Sequence, residues 1–206
     1  MKVILINGSP RKNGCTYTAL CEVASELNKN GMETEIFQLG SDAVPGCSAC
    51  GFCFEKGKCK TDDIVNEFAE LSKTADGFVF GSPVHFAGAG GKIISFMDRL
   101  FYSARANLAN KPAAAITSSR RGGATAAFDQ LNKYFTISNM PIVSSQYWNM
   151  VHGSNPEQVK QDLEGMQTMR RLGANMAWLL KCIEAGKKAG IEIPKAEPWA
   201  RTDFMR

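Results

Sequence analysis

A chain of 206 residues, 44 % hydrophobic and 21 % charged, carries enough apolar material for one core of ordinary size. Its formal net charge of +4 comes without a lysine- or arginine-rich run, which argues against a nucleic-acid face and suits a small anionic ligand. No apolar run approaches the roughly 18 residues of a membrane span.

In chain order, apolar runs alternate with helical patterns. Residues 2–6 (KVILI) read as a short buried strand. Because Asn7-Gly8 stops that run so early, no secretory leader is expected and the cytoplasm is the expected compartment. Residues 16–30 read as a helix with Leu20, Val23, Ala24 and Leu27 on one face and Gly31 after its end. Residues 33–39 form a second strand. A cysteine-rich insert, 47–59, follows, and Thr61-Asp62-Asp63 caps a helix over 63–74. GFVFG (77–81) is strand three, and a glycine-rich loop over 82–91 leads to a helix over 91–105. AAAITS (113–118) is strand four, 123–136 a helix, and PIVSSQYW (141–148) strand five. Asn155-Pro156 opens one long helix with apolar positions from Val159 to Ile183, ended by Gly190 and Pro194. The tail, 191–206, is irregular, and is expected to wrap a neighbouring subunit or to be partly disordered. This alternation predicts a single α/β domain over 1–190, a flavodoxin-like three-layer sandwich with a five-stranded parallel sheet of order 2-1-3-4-5.

In such a sheet, ligands bind beyond the carboxyl ends of the strands. The first loop there, NGSPRKNGCT (7–16), offers the Ser9 and Thr16 hydroxyls, the Arg11 guanidinium and a helix amino end, all suited to a phosphate. It does not fit a Walker loop: five residues separate Gly8 from Gly14, and Cys15-Thr16 follows. Nor does it fit the dinucleotide fingerprint, since strand two ends Phe37-Gln38-Leu39 without an acid. A receiver domain needs carboxylates where Asn7 and Ser82 stand. There remain a monophosphate site of the flavin mononucleotide kind and a capped turn that binds nothing. GSPVHFAGAGG (81–91) is small enough to admit a flat ring, with backbone amides for the flavin edge near N5. TSSRRGG (117–123) ends at another helix amino terminus, where its amides and Arg120 or Arg121 suit negative charge on a reduced flavin.

The stretch CSACGFCFEKGKC holds Cys47, Cys50, Cys53 and Cys59. Taken from the residues alone, it admits a cluster, a zinc or redox dithiol, or a loop of free thiols. Disulfides are disfavoured in the expected compartment, and zinc more often shows two separated Cys-x2-Cys knuckles. Cys21 and Cys182 read as packing thiols on helix faces.

GSPRKNGCT, GSPVHFAGAGGKIISFMDRL and TSSRRGGATAAF together resemble the NADPH-dependent FMN reductase family, and most closely its iron–sulfur flavoprotein branch. The resemblance spans about residues 1–150. It implies a flavodoxin-like fold, FMN as cofactor, NAD(P)H as co-substrate and a homodimer or homotetramer. It also implies that Ser9, Arg11, Cys15 and Thr16 hold the phosphate. Pro83, Val84, His85, Phe86, Ala87 and Gly88, with Ser118, Ser119, Arg120, Gly122 and Gly123, would surround the ring. Two positions depart from the family: Cys15 replaces an amide side chain, and His85 a common aromatic. The branch's Cys-x2-Cys-x2-Cys-x4–7-Cys segment implies a 4Fe–4S cluster on Cys47, Cys50, Cys53 and Cys59.

The leading expectation is an FMN-dependent oxidoreductase passing electrons from NAD(P)H to a small acceptor such as a flavin or quinone. Its alternatives are an iron–sulfur flavoprotein that relays electrons between a protein such as ferredoxin, the cluster and FMN, and a non-catalytic redox sensor. No general acid or base is assigned, and neither nucleic acid nor a membrane is expected as a partner.

Overall fold

Val3, Ile4, Leu5 and Ile6 have no exposed surface, so an unbroken apolar run rather than an alternating one builds β1 (Lys2–Asn7). In the computed structural model, which describes residues 1–198, 200 and 202, β1 lies between β2 (Glu33–Gln38) and β3 (Gly77–His85). Leu5 is in register with Ile36 on one side and Val79 on the other. The end of β3 folds back on the short antiparallel β4 (Gly88–Ala89). Beyond β3 come β5 (Ala113–Ser119) and β6 (Met150–His152), both parallel to their neighbours. The five parallel strands thus run β2-β1-β3-β5-β6, which is the expected flavodoxin-like order, with β4 as a sixth strand off that path.

Alternate residues of these strands feed two cores. Val3, Leu5, Val79, Ala114 and Ile116 pack against α1 (Cys15–Lys29) and the last helix. On the other face, Ile4, Ile6, Phe78 and Phe80 meet three helices. After α2 (Phe52–Lys56) in the cysteine insert, these are α3 (Ile64–Leu71), α4 (Gly91–Ser103) and, past α5 (Arg105–Leu108), α6 (Ala124–Ile137). Phe68 of α3 meets Phe96 of α4 edge-on at 5.3 Å, and Phe80 meets Phe135 of α6 at the same distance. Each fully buried phenylalanine contributes roughly 2 kcal/mol relative to exposure.

Four expectations need correction. Residues 141–148 are not a strand. Val143 donates to the Ala113 carbonyl, but the Ser145 hydroxyl then bonds the Tyr147 carbonyl and the Asn149 side chain, turning the chain out of the sheet. The buried Asn149 amide instead reaches the Ala115 carbonyl, and pairing resumes only at Met150. The long helix is two, α7 (Pro156–Gln161) and α8 (Leu163–Lys188), divided at Asp162. The Asp162 carboxylate accepts from the Gly165 amide at 3.0 Å and the His152 amide at 2.7 Å, so a capping residue starts α8 and ties it to β6. Residues 82–91 are largely a hairpin rather than a loop. Finally, Cys182 is exposed on α8, while Cys21 is half-buried.

Residues 191–198 carry no helix or strand, and the end of the predicted tail (199, 201 and 203–206) lies outside the described residues. Among the described residues, no helix is long and apolar enough to cross a membrane.

Candidate functional site

The first loop leaves β1 through Asn7, which is wholly buried and holds the turn from within. Its side-chain oxygen accepts from the Ser9 amide at 3.1 Å, and its amide group donates to Gln38 at 2.6 Å. Gln38 in turn donates to the Ser9 carbonyl at 2.7 Å. Gly8 donates to the Gly81 carbonyl at 2.8 Å, and a Cβ on Gly8 would lie 2.7 Å from that oxygen, so only glycine lets the ends of β1 and β3 approach this closely. Ser9 is buried with its hydroxyl accepting from the Arg11 amide, and the Arg11 side chain is exposed. α1 begins after Gly14 with no side-chain cap, so its first amides remain available to an anion.

Thr16 is buried and shares a 2.8 Å hydrogen bond with Ser118 at the end of β5. The first and third loops are therefore joined directly. Cys15 turns the other way, its thiol bonding the Gly153 carbonyl at 3.6 Å and packing on the α1–α8 core. Burial pushes that thiol's pKa up. Ser119 meets His152 of β6 at 3.1 Å, a neighbour that no sequence motif announces.

Pro83 and Val84 continue β3, and His85 pairs with Gly88 across a two-residue turn. Phe86 and Ala87 in that turn have φ of 50° and 59°. Two successive non-glycine residues in the left-handed region cost on the order of 1 kcal/mol each, and such strain gathers at binding sites. Phe86 is fully exposed at the tip. Gly123, the residue before α6, has φ 88°, and a Cβ there would come within 2.6 Å of the Ala87 Cα. The second and third loops thus touch backbone to backbone. Arg120 and Gly122 lie beside them, Arg120 exposed, and α6 also starts without a side-chain cap. The three loops form one small-residue edge with two open helix amino ends, a fit for a planar ring carrying a phosphate.

The cysteine insert leaves β2 at the same edge. Cys47, Cys50, Cys53 and Cys59 all line one cavity of about 220 Å³, walled by Phe54 and by Arg99, Tyr102 and Ser103 of α4. Left-handed glycines at 51 and 57 bracket α2, and Ala49 adopts φ 54° between Cys47 and Cys50, so the chain curls tightly around the cavity. Burial pushes the Cys53 thiol up, and its three neighbouring cysteines act in the same direction. The Phe52 amide and Ser48 hydroxyl hold Cys50 below the usual thiol range. Among the described residues, no three potential ligands close on a single ion point. A cubane, with an iron at each of four corners, takes its four thiolates farther apart than a single ion does.

Cys59 is the most firmly held. Its backbone exchanges two 3.0 Å hydrogen bonds with the Asn66 side chain, and its sulfur accepts from Arg99 Nε at 3.2 Å. Sequence reading missed Arg99, Asp63, Asn66, Asn7 and Gln38 as site residues. The available signal was an arginine at the i+3 position from Phe96, flanking the apolar stripe of α4.

The sheet order and the three joined loops define a flavodoxin-like protein. The sequence pattern of the NADPH-dependent FMN reductase family matches residues 1–155, and the chain belongs to that family of flavin-dependent oxidoreductases. It is 34 % identical to an iron-sulfur flavoprotein of Methanocaldococcus jannaschii, over 89 % of this chain and all of that one. It is 29 % identical to the iron-sulfur flavoprotein of Methanosarcina thermophila, over 91 % and 99 % of the two chains. Among solved structures it superposes on an archaeal flavodoxin with a TM-score of 0.60 at 15 % identity, covering 88 % of this chain and 99 % of the other.

Proposed function

We propose that the chain is an FMN-dependent oxidoreductase whose four-cysteine insert holds a 4Fe–4S cluster, and that it relays electrons between a redox protein such as ferredoxin and the flavin. The observation that carries this reading is the shared use of α4. The helix begins where the β3–β4 hairpin ends, and Arg99, eight residues further along and about 12 Å away, walls the cysteine cavity. When bound, FMN supplies paired- and single-electron redox chemistry and the cluster supplies single-electron transfer. The chain's own part is to hold and orient. Ser9, Thr16 and the amino end of α1 bind the phosphate with Arg11, and the Phe86–Ala87 turn and the Ser118–Gly123 loop flank the ring. Cys47, Cys50, Cys53 and Cys59 provide the thiolates.

A second reading, with NAD(P)H as donor and a small molecule as acceptor, rests on the family's description. Exposed Leu163 and Trp178 on α8 support a homo-oligomer that covers them. The test is anaerobic purification followed by absorption spectroscopy and assays of FMN, iron and acid-labile sulfide. The expected result is FMN together with iron and sulfide in equal amounts, and reduction by ferredoxin that requires the iron. Iron-free protein that oxidises NADPH at full rate overturns the relay in favour of the second reading.

A further inference from the structure

Arg99 is the most deeply buried charge near the cysteine cavity, with 2 % of its surface exposed. Each of its five N–H groups has an acceptor. Nη1 and Nη2 grip the two Asp63 carboxylate oxygens at 2.7 and 2.8 Å, and they also reach the Pro45 carbonyl at 3.4 Å and the Thr61 carbonyl at 2.9 Å. Nε is aimed at the Cys59 sulfur. A buried guanidinium is tolerated only when its donors are matched by good acceptors, and a neutral thiol is a poor one. A thiolate is a strong one. The sulfur 3.2 Å from Nε offers such an acceptor when it ligates iron.

We infer that Arg99 is a positioning residue that raises the reduction potential of the cluster by donating its Nε–H to the Cys59 thiolate. The inference rests on the reading of the four cysteines as cluster ligands. Reduction adds one electron, and hence one negative charge, to the iron–sulfur core. A hydrogen bond from a cation to a ligating sulfur favours that more negative state. Asp63 sets the strength of the effect. Its carboxylate neutralises most of the guanidinium's charge, so that what reaches the cluster is chiefly the directed N–H bond. The planar fork of arginine serves Asp63 and Cys59 at once, and a lysine ammonium cannot.

The two partners therefore have opposite effects, which loosened packing would not produce. In redox titrations of the anaerobically purified holoprotein followed by electron paramagnetic resonance, Arg99→Lys is expected to lower the cluster potential. The expected size is at least a tenfold change in the reduction equilibrium, or about 59 mV for one electron. Asp63→Asn, which leaves the guanidinium charge uncompensated, is expected to raise it. An unchanged potential in Arg99→Lys, or shifts of the same sign in both variants, overturns the inference while leaving the cluster reading intact. Wild-type protein without iron and sulfide overturns both. Should Arg99→Lys fail to assemble, wild-type protein with guanidino-¹⁵N arginine decides the matter. A ¹⁵N coupling to the reduced cluster in pulsed resonance spectra is expected, and its absence removes the proposed bond.

Discussion

Thr16 and Ser118 stand 102 positions apart in the chain, yet their buried hydroxyls share a 2.8 Å hydrogen bond that joins the first turn of α1 to the end of β5. The pair fixes the distance between the proposed phosphate and ring contacts. Replacing Thr16 by valine keeps the shape and removes the bond. The expected result is FMN binding weakened about fivefold, in line with the ~1 kcal/mol of such a bond. Fluorescence titration with FMN reads the affinity, and a melting curve shifted by only a few degrees separates this from unfolding.

Gly123 tests the contact between the second and third loops. At φ 88° an alanine is strained in its own backbone, and its Cβ would also meet the Ala87 Cα at 2.6 Å. Relief requires the hairpin tip to move away from α6. Gly123→Ala is expected to destabilise the protein by about 1–2 kcal/mol and to weaken FMN binding by more than the Thr16 variant does. Urea denaturation monitored by circular dichroism, beside the same titration, checks both. An alanine variant with wild-type stability and affinity would show that the two loops do not constrain one another.

What was legible in the sequence, and what was not, follows the range of the forces involved. β1 and β3 are unbroken apolar runs, and burial on both faces leaves that mark locally. The segment 141–148 carries the same β-branched and aromatic residues, but Ser145 and Asn149 close a turn that depends on where the Ala115 carbonyl lies. No local pattern encodes that position. Asp162 illustrates the opposite case: an aspartate three residues before Gly165 is a local capping signal, masked by the apolar spacing that continues across it. In the site, the motif loops were readable because their glycines and hydroxyls are unusual after strands. Arg99 was not, since its acceptors come from Pro45, Cys59, Thr61 and Asp63, all on a segment 36 to 54 positions away.

Asp63 makes the stability depend on acid. Burial pushes its carboxyl upward, but the Arg99 hydrogen bonds, the Val65 amide and the Arg99 charge outweigh this and hold the pKa below the usual carboxylate value. A carboxyl with a lowered folded pKa contributes stability that is fully present above its unfolded value of about 3.9 and is lost as the pH falls through the folded value. An asparagine side chain in its place would keep the helix cap but not the charge. Asp63→Asn is therefore expected to cost about 3 kcal/mol at pH 7, because it strands a buried guanidinium. That gap from wild type should close as the pH drops below about 4. Urea unfolding of the two proteins across pH 7 to 3 measures it, and a gap independent of pH would rule out the carboxylate as its source.

Cys53 separates the two proposed cofactors. It starts the second half of the cysteine insert on α2, lines the cavity with the other three cysteines, and among the described residues makes no hydrogen bond to the three loops proposed to hold the flavin. A serine in its place is nearly isosteric but gives an oxygen where iron prefers a thiolate. The Gly51 and Gly57 turns that shape the insert are untouched, as are Asn7, Thr16 and Ser118. Cys53→Ser is thus expected to lose most of the iron and acid-labile sulfide while keeping FMN at the wild-type ratio. Its spectrum should show flavin bands without the broad absorption of the cluster. Loss of FMN in step with iron would instead mean that the insert helps to build the flavin site, and the separation of the two sites along α4 would have to be abandoned.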